Sequence, residues 1–394
     1  YVPGTQLGGE VDLNDPVRGM YIEKPAKATG NNRFDAWPNK NDWYETVKLN
    51  YGVDYMNNTG NHFDPVPDTW KKMRDILLFW SSKGIDGFRC DMAEMVPCEF
   101  WGWVIPQIKQ KHAKLTFIAE VYNPNEYRNY IHNGHFDYLY DKVGLYDTLR
   151  ALTCGYASAT AITGCWQSVN DIQSHMLNFL ENHDEQRIAS EFFAGDARKA
   201  LPALLVSACM NTNPMMIYFG QELGEPGMDS EGFSGRDGRT TIFDYWSVDS
   251  IRRWSNHGRY NLHLLNDQEK ELRHFYQTVL TLCNKEKAIS KGEFFDLMYV
   301  NSDGWMMNPH RQYVFMRKCD DELLLVITNF DSIPVNISVN IPQHAFDFWG
   351  MRQYPEIKSR DLLTGKSEKI AFCADKPVVT DVPAYGGKIL KIKL

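Results

Sequence analysis

The chain has 394 residues, 43% hydrophobic and 23% charged, with a net charge of −8, the composition of a globular protein with ample material for a core. Acids and bases are interspersed without a basic block, which argues against a nucleic-acid groove, because affinity for phosphate backbones comes from clustered Lys and Arg. No run approaches the roughly 18 apolar residues of a membrane span, and the eight scattered cysteines form no CxxC pair, a usage that favours a reducing compartment.

Residues 1–67 are rich in Gly, Asn, Asp and Pro and read as long ordered loops, anchored by rings such as Trp37, Trp43 and Tyr44. From Asp68 the texture changes. Trp70, Met73, Leu77 and Trp80 recur at helical spacing, with Asp68 placed to cap that helix and Gly84 to end it. Short apolar runs follow at 85–91, 116–122, 136–141, 176–184 and 214–222, separated by helix-like stretches at 99–115 and 197–213. Strands that alternate with helices imply a parallel sheet. A long helical pattern covers 261–287, and beyond it alternating strands at 313–318, 322–330, 335–341 and 386–394 imply an antiparallel β-domain. The expected organisation is therefore a loop-rich excursion (1–67), a strand–helix region (68–290) and a C-terminal β-domain (291–394).

Three of the parallel-type strands carry chemistry at one end. Asp91 closes the first, in GFRCD; Glu120 lies near the end of the second, in FIAEVY; His183 and Asp184 close the fourth, in FLENHD. Each has a plain structural reading on its own. An Asp after a strand caps the next helix, a buried Glu pairs with a cation, and Arg89 is an ion-pair partner. Their recurrence at the same end of successive strands favours a shared cleft, the place where a βα-barrel builds its active site. The chemistry that needs such carboxylates is retaining glycoside hydrolysis, with one acid kept ionised as nucleophile and another kept protonated as general acid. Arg89, two residues from Asp91 on the same strand face, would hold Asp91 anionic, while negative neighbours and an apolar wall would raise the pKa of Glu120.

GFRCD, FIAEVY and FLENHDEQR, in that order, resemble three sequence regions of the α-amylase superfamily of (β/α)8-barrel glycoside hydrolases, and MIYFGQELGEPG resembles its eighth strand and loop. The resemblance runs from about residue 50 to 246. It implies a TIM-type (β/α)8 barrel, of which strands 4–8 lie in this chain, followed by an antiparallel β-sandwich; a closed barrel has eight strands, so the remaining N-terminal portion is expected from the same polypeptide. Carried over position by position, it implies Asp91 as nucleophile, Glu120 as acid/base, Asp184 as the third carboxylate binding sugar hydroxyls, and Arg89 and His183 as substrate- and carboxylate-orienting residues. The implied activity is cleavage of α-1,4-glucosidic bonds in starch-derived glucans or maltooligosaccharides. A glucosyl transferase using the same residues and a non-catalytic carbohydrate-binding relative are the competing readings, and the presence of all three carboxylates favours an enzyme.

The residues after the nucleophile depart from the pattern of starch-degrading members and argue against α-1,6 specificity. Many starch-degrading members carry Lys-His three and four residues after the nucleophile, where this chain has Glu94-Met95, and members favouring α-1,6 bonds commonly have Val where this chain has Met92. No cofactor is expected. The ligands of a family calcium are not identifiable in this chain, and His62 with Asp64 or His132 with His135 lack a third ligand at a recognised spacing. The Gly-rich stretch 224–239 has neither dinucleotide nor P-loop spacing and is read as a wall of the cleft.

Overall fold

The computed structural model describes residues 30–31, 43, 46–55, 59–227, 236–240, 248–302, 305 and 307–394. The chain divides into two compact units, Tyr1–Leu139 and Tyr140–Leu394.

In the first unit, a hairpin of two-residue strands β1 (Val53–Asp54) and β2 (Gly60–Asn61) precedes helix α1 (Asp68–Ser81), strand β3 (Gly87–Cys90), α2 (Cys98–Lys111), β4 (Thr116–Ala119), the short α3 (Tyr127–His132) and the first two residues of β5 (Tyr138–Tyr140). β3 and β4 pair in parallel from Gly87↔Thr116 to Cys90↔Ala119, and β4 continues the parallel pairing to β5 at Ile118↔Tyr138. The register matters for function, because it brings the residues that follow Cys90 and Ala119 out side by side. Gly87 allows the close approach: a Cβ there would stand 2.2 Å from the Thr116 carbonyl oxygen.

Aromatic side chains fill this core. Trp70, Phe100, Trp101, Phe117 and Phe136 are buried, and the ring pairs Trp70–Phe100, Phe100–Trp101 and Trp101–Phe136 lie at 5.6, 5.0 and 5.0 Å, separations at which edge-to-face packing adds to simple burial. The preceding loop is tied to the same ring, since Trp70 Nε1 donates to the Tyr51 carbonyl at 3.0 Å and Phe63 packs on Trp70. Tyr51 and Phe63 thus anchor the loop; Trp43 is 43% exposed, and Trp37 and Tyr44 lie outside the described residues.

Two expectations for α1 are corrected. The N-cap position is Pro67, and Asp68 is the first helical residue, its carboxylate paired with Lys72 one turn on at 2.6 Å. Trp80, placed by periodicity on the buried face, is 52% exposed. The packed stripe stops after Leu77, and Lys83 sits over the neighbouring Phe79 ring at 4.5 Å, a surface cation–π contact.

The second unit opens with α4 (Asp147–Thr153), α5 (Ala161–Ser168), β6 (Met176–Phe179), α6 (Leu201–Cys209) and β7 (Met215–Met216), with β6 and β7 again parallel. α7 (Asp249–Ser255) and the long α8 (Asp267–Lys285) follow. A reciprocal capping box starts α8: Asn266 accepts from the Glu269 N–H and Glu269 accepts from the Asn266 N–H, each at 2.8 Å.

After α9 (Lys287–Ser290) come the β-strands of the C-terminal part: β8 (Glu293–Asp296), β9 (Gln312–Cys319), β10 (Glu322–Asn329), β11 (Val335–Val339), then helix α10 (Gln343–Trp349), and β12 (Tyr354–Asp361), β13 (Ser367–Phe372), β14 (Val378–Val382) and β15 (Gly386–Lys393). Six form an antiparallel sheet in the order β13-β12-β15-β10-β9-β8, and β11 pairs with β14 in a second sheet. Leu323 to Ile327 are fully buried along β10, so the central strand is apolar on both faces, covered on one side by α6. Gly387 makes that cover possible: a Cβ would stand 2.5 Å from a Leu205 methyl and 2.4 Å from the Ile327 carbonyl. The helix and the sheet share one core, which is why both lie in one unit.

Candidate functional site

The loop after β3 is built around the backbone of Met92. Its φ of 45° places a non-glycine residue in the left-handed region, a conformation that costs free energy and is retained where surrounding contacts fix it. Here the turn aims the Met92 N–H at Glu120 Oε2, 2.8 Å away. Glu120 itself leaves the end of β4, its N–H bonded to the Cys90 carbonyl at 3.1 Å. The parallel register thus delivers Asp91 and Glu120 to adjacent strand ends.

Arg89 joins them. One guanidinium nitrogen is ion-paired with Asp91 Oδ1, and the other lies 3.2 Å from Glu120 Oε2. The environments of the two acids differ. The Asp91 side chain is 72% exposed, whereas Glu120 is buried, and burial raises its pKa above the usual glutamate range. The Met92 N–H, the Arg89 charge and a hydrogen bond with Tyr122 oppose that shift, and a hydrogen bond that protonated Glu120 donates to the Asp91 carboxylate adds to it. Desolvation wins. The two carboxyls within hydrogen-bond reach are closer than the roughly 5–5.5 Å of a retaining pair; the exposed Asp91 is the member with room to turn aside for a sugar.

Glu94 completes this corner. Its Oε2 accepts from the N–H groups of Tyr122 and Asn123 at 3.1 and 3.0 Å, so the loop that carries Asp91 holds down the segment that follows Glu120. Tyr130 closes the far side, its hydroxyl donating to the Glu94 and Val96 carbonyls at 3.1 and 2.8 Å.

In the second unit, β6 ends at Phe179, so His183 and Asp184 do not close the strand but lie in the loop beyond it. That loop is shaped by Asn182, whose Oδ1 accepts from the N–H groups of Asp184 and Glu185 at 2.9 and 2.8 Å, a local side-chain turn in place of strand pairing. His183 Nε2 lies 3.1 Å from Asp184 Oδ2, and both side chains are about one-third exposed. The Arg239 guanidinium donates to the Asp184 carbonyl.

Beneath the loop lies a fully buried ion pair. Arg187 Nη1 meets Glu181 Oε2 at 2.8 Å, with both side chains excluded from solvent. Each nitrogen and each carboxylate oxygen has a partner: Arg187 also donates to Thr240 Oγ1 and the Phe219 carbonyl, Glu181 Oε1 accepts from the Ile188 N–H, and the guanidinium stacks 4.1 Å over Tyr218. Arg187 and Glu181 fall inside the FLENHDEQR stretch, yet nothing in their spacing distinguishes them from surface charges. Glu94 likewise went unrecognised, because its acceptor role is played towards backbone groups 28 and 29 residues away.

Among the described residues no group of three or more His, Cys, Asp or Glu is placed to hold a metal ion. His62 instead contacts Thr59 Oγ1 through Nε2 at 3.0 Å. No helix among them is long and apolar enough to cross a membrane.

Comparison with known proteins agrees with this layout. The model of the alpha amylase catalytic domain matches residues 15–292. Alpha-amylase 3 of Dictyoglomus thermophilum is 24% identical over 387 residues, covering 90% of this chain and 68% of that protein. A 57-residue stretch, 14% of this chain, is 37% identical to the alpha-1,4-glucan:maltose-1-phosphate maltosyltransferase of Cereibacter sphaeroides and covers 10% of that protein. Among solved structures, an Anoxybacillus alpha-amylase superposes with a TM-score of 0.61 at 17% identity, covering 85% of this chain and 65% of its own. The chain therefore spans about two thirds of the length of its broader matches, and it shares their fold of a TIM-type barrel portion followed by an antiparallel β-domain. With a family model matched across most of its length, the chain belongs to the alpha-amylase family of glycoside hydrolases.

Proposed function

We propose that the protein is a retaining α-glycoside hydrolase acting on α-1,4-glucosidic bonds of starch-derived glucans or maltooligosaccharides. The observation that carries this reading is the Arg89-bridged pair of acids at adjacent strand ends, one exposed and ion-paired, one buried with a raised pKa. Environments that separate two carboxyls in this way assign the acid and the nucleophile.

In this mechanism the Asp91 carboxylate attacks the anomeric carbon while the Glu120 carboxylic acid gives its proton to the leaving glycosidic oxygen. The resulting glycosyl–Asp91 ester has inverted configuration. Glu120, now ionised, takes a proton from water, which attacks the same carbon, releases Asp91 and restores the α-configuration. Ionised Glu120 is stabilised at that point by the Met92 N–H and Arg89. Asp184 is assigned to the sugar hydroxyls, oriented by His183 at 3.1 Å.

Proton NMR of the complete polypeptide with maltoheptaose tests the reading. New reducing ends should appear first as the α-anomer and only then mutarotate. First appearance of the β-anomer would overturn the double displacement. Glucosyl transfer is the second reading, favoured by the maltosyltransferase match. It uses the same two residues, and the two separate on whether an added maltose acceptor is elongated faster than water is consumed.

A further inference from the structure

Away from the carboxylates, the second unit holds an open, polar pocket of about 280 Å³ between the end of α4 and the turns of the C-terminal sheet. The segments that supply its walls are cross-linked, in part by residues next to the lining. The Ala159 N–H donates to the His310 carbonyl at 3.1 Å, and Ser158 Oγ contacts His310 Nδ1 at 2.9 Å. The Phe330 N–H donates to the Arg311 carbonyl at 2.8 Å, and the Tyr385 N–H to the Asp331 carbonyl at 2.9 Å. The cavity is thus framed by backbone that several hydrogen bonds fix, which is how binding sites come to be largely pre-formed.

The side chains on those walls are under-used. The Arg311 guanidinium has no hydrogen-bond or ion-pair partner among the described residues, although it is half-buried and its Nη2 stands only 3.6 Å from where a Cβ on Gly155 would be. Lys199 lines the same space with a single bond, to the Ala194 carbonyl at 2.9 Å. Thr153 is nine-tenths buried and its hydroxyl is unpartnered. In a chain of net charge −8, two cations facing one cavity call for an anion. An arginine fork suits an oxyanion with two oxygens in a plane, and lysine adds a point charge.

Two aromatic residues complete the site. Tyr156 is 89% exposed at the rim, held there by its N–H bond to the Ala151 carbonyl at 2.8 Å. Tyr385 lines the wall with a φ of 44°, a strained conformation for a bulky residue. Rings at a rim with a hydroxyl-accepting carboxylate, Asp331, beside them suit the apolar face and hydroxyls of a sugar ring. The volume lies just below the usual range of small-molecule pockets, roughly 300–1,000 Å³, and suits one ring with one small anionic group.

We infer that this cavity binds a phosphorylated monosaccharide, with Arg311 and Lys199 on the phosphate and Tyr156, Tyr385 and Asp331 on the sugar. The inference does not rest on the hydrolytic reading and is tested without an activity measurement. The intact chain is titrated calorimetrically with glucose 6-phosphate, inorganic phosphate and glucose, alongside R311Q and Y156A. Neither substitution removes a bond that holds the fold, and unchanged melting temperatures confirm this. Glucose 6-phosphate should bind most tightly and glucose most weakly. R311Q should weaken both phosphate-bearing probes at least tenfold, while Y156A should weaken glucose 6-phosphate several-fold and leave inorganic phosphate unchanged. The inference is overturned by equal affinity for glucose 6-phosphate and inorganic phosphate, by absence of binding at millimolar concentration, or by undiminished binding to R311Q.

Discussion

Two of the arginine–glutamate pairs in this molecule, Arg89 with Glu120 and Arg187 with Glu181, are built differently. At Arg89 the guanidinium is shared between an exposed aspartate and a buried glutamate, the turn that supplies the third hydrogen bond is in a strained conformation, and one acid stays open to solvent. At Arg187 the pair is sealed, each guanidinium nitrogen and each carboxylate oxygen has a protein partner, and an aromatic ring covers one face. The first arrangement leaves chemistry unspent, and the second leaves only rigidity. Residue type alone does not separate a reactive carboxylate from a structural one; the number of valences the fold leaves open does.

Breaking the open set should destroy turnover and spare the fold. Asp91→Asn should abolish hydrolysis of maltooligosaccharides by several orders of magnitude, and Glu120→Gln should reduce it about 10²–10⁴-fold, the usual worth of a general acid–base, with reducing-sugar assays reading the loss and circular dichroism showing an unchanged melting temperature. Breaking the sealed set should do the reverse. Arg187→Met leaves Glu181 buried without its counter-charge and should cost about 3–5 kcal/mol, read by urea denaturation, whereas the double change Glu181→Leu with Arg187→Met should cost less than the single one.

A third buried carboxyl sharpens the contrast. Asp141 has no arginine; its Oδ1 accepts from the Leu145 N–H at 2.9 Å, and burial pushes its pKa up to about 6 from 3.8. Because the folded-state value lies above the unfolded one, its contribution is fully present below about pH 4 and lost as pH rises through 6. A shift of this size corresponds to about 3 kcal/mol. Asp141→Asn should therefore flatten the stability–pH curve between about pH 4 and 6, as measured by thermal melts across that range. The smallest effect belongs to Glu94→Gln. It weakens two hydrogen bonds to a charged acceptor, and the loss should be about 1–2 kcal/mol, seen as a lowered urea midpoint together with a reduced kcat and little change in KM, since the segment it holds follows Glu120.

The acid limb and the basic limb of the rate profile bear on the same comparison. Arg89 lowers the pKa of Glu120 against the larger effect of burial, so Arg89→Met should move the basic limb of kcat/KM to higher pH, in addition to lowering its height. A basic limb that stayed in place would remove Glu120 as the group whose proton is required.

The strand-end acids were legible because alternation and an apolar flank exposed them: a charged pair two residues apart after a buried run has few innocent readings once it recurs. The shared cleft was read from their recurrence at one end of successive strands, whereas the register that puts Asp91 beside Glu120 comes from the structure. The β-domain was read through β9, β10, β11 and β15; β12 and β13 escaped because outward residues such as Glu356, Lys358 and Lys369 dilute their pattern, and the short β8 and β14 escaped as well. Trp80 misled, since periodicity marks a face but not how far along it a partner extends. His183 and Asp184 were assigned to a strand end although Asn182 had already turned the chain, a side-chain competition with the backbone that hydrophobicity does not register.

The central claim is that Asp91 forms the covalent bond to sugar. The direct measurement is peptide mass spectrometry of the complete polypeptide after incubation with a 5-fluoro-α-glucosyl fluoride, which forms the glycosyl-enzyme faster than water can clear it. The account predicts one hexosyl adduct on the peptide containing Asp91, accumulating in the wild type and absent from Asp91→Asn. An adduct on Glu120 or Asp184, with Asp91 unmodified, would contradict it.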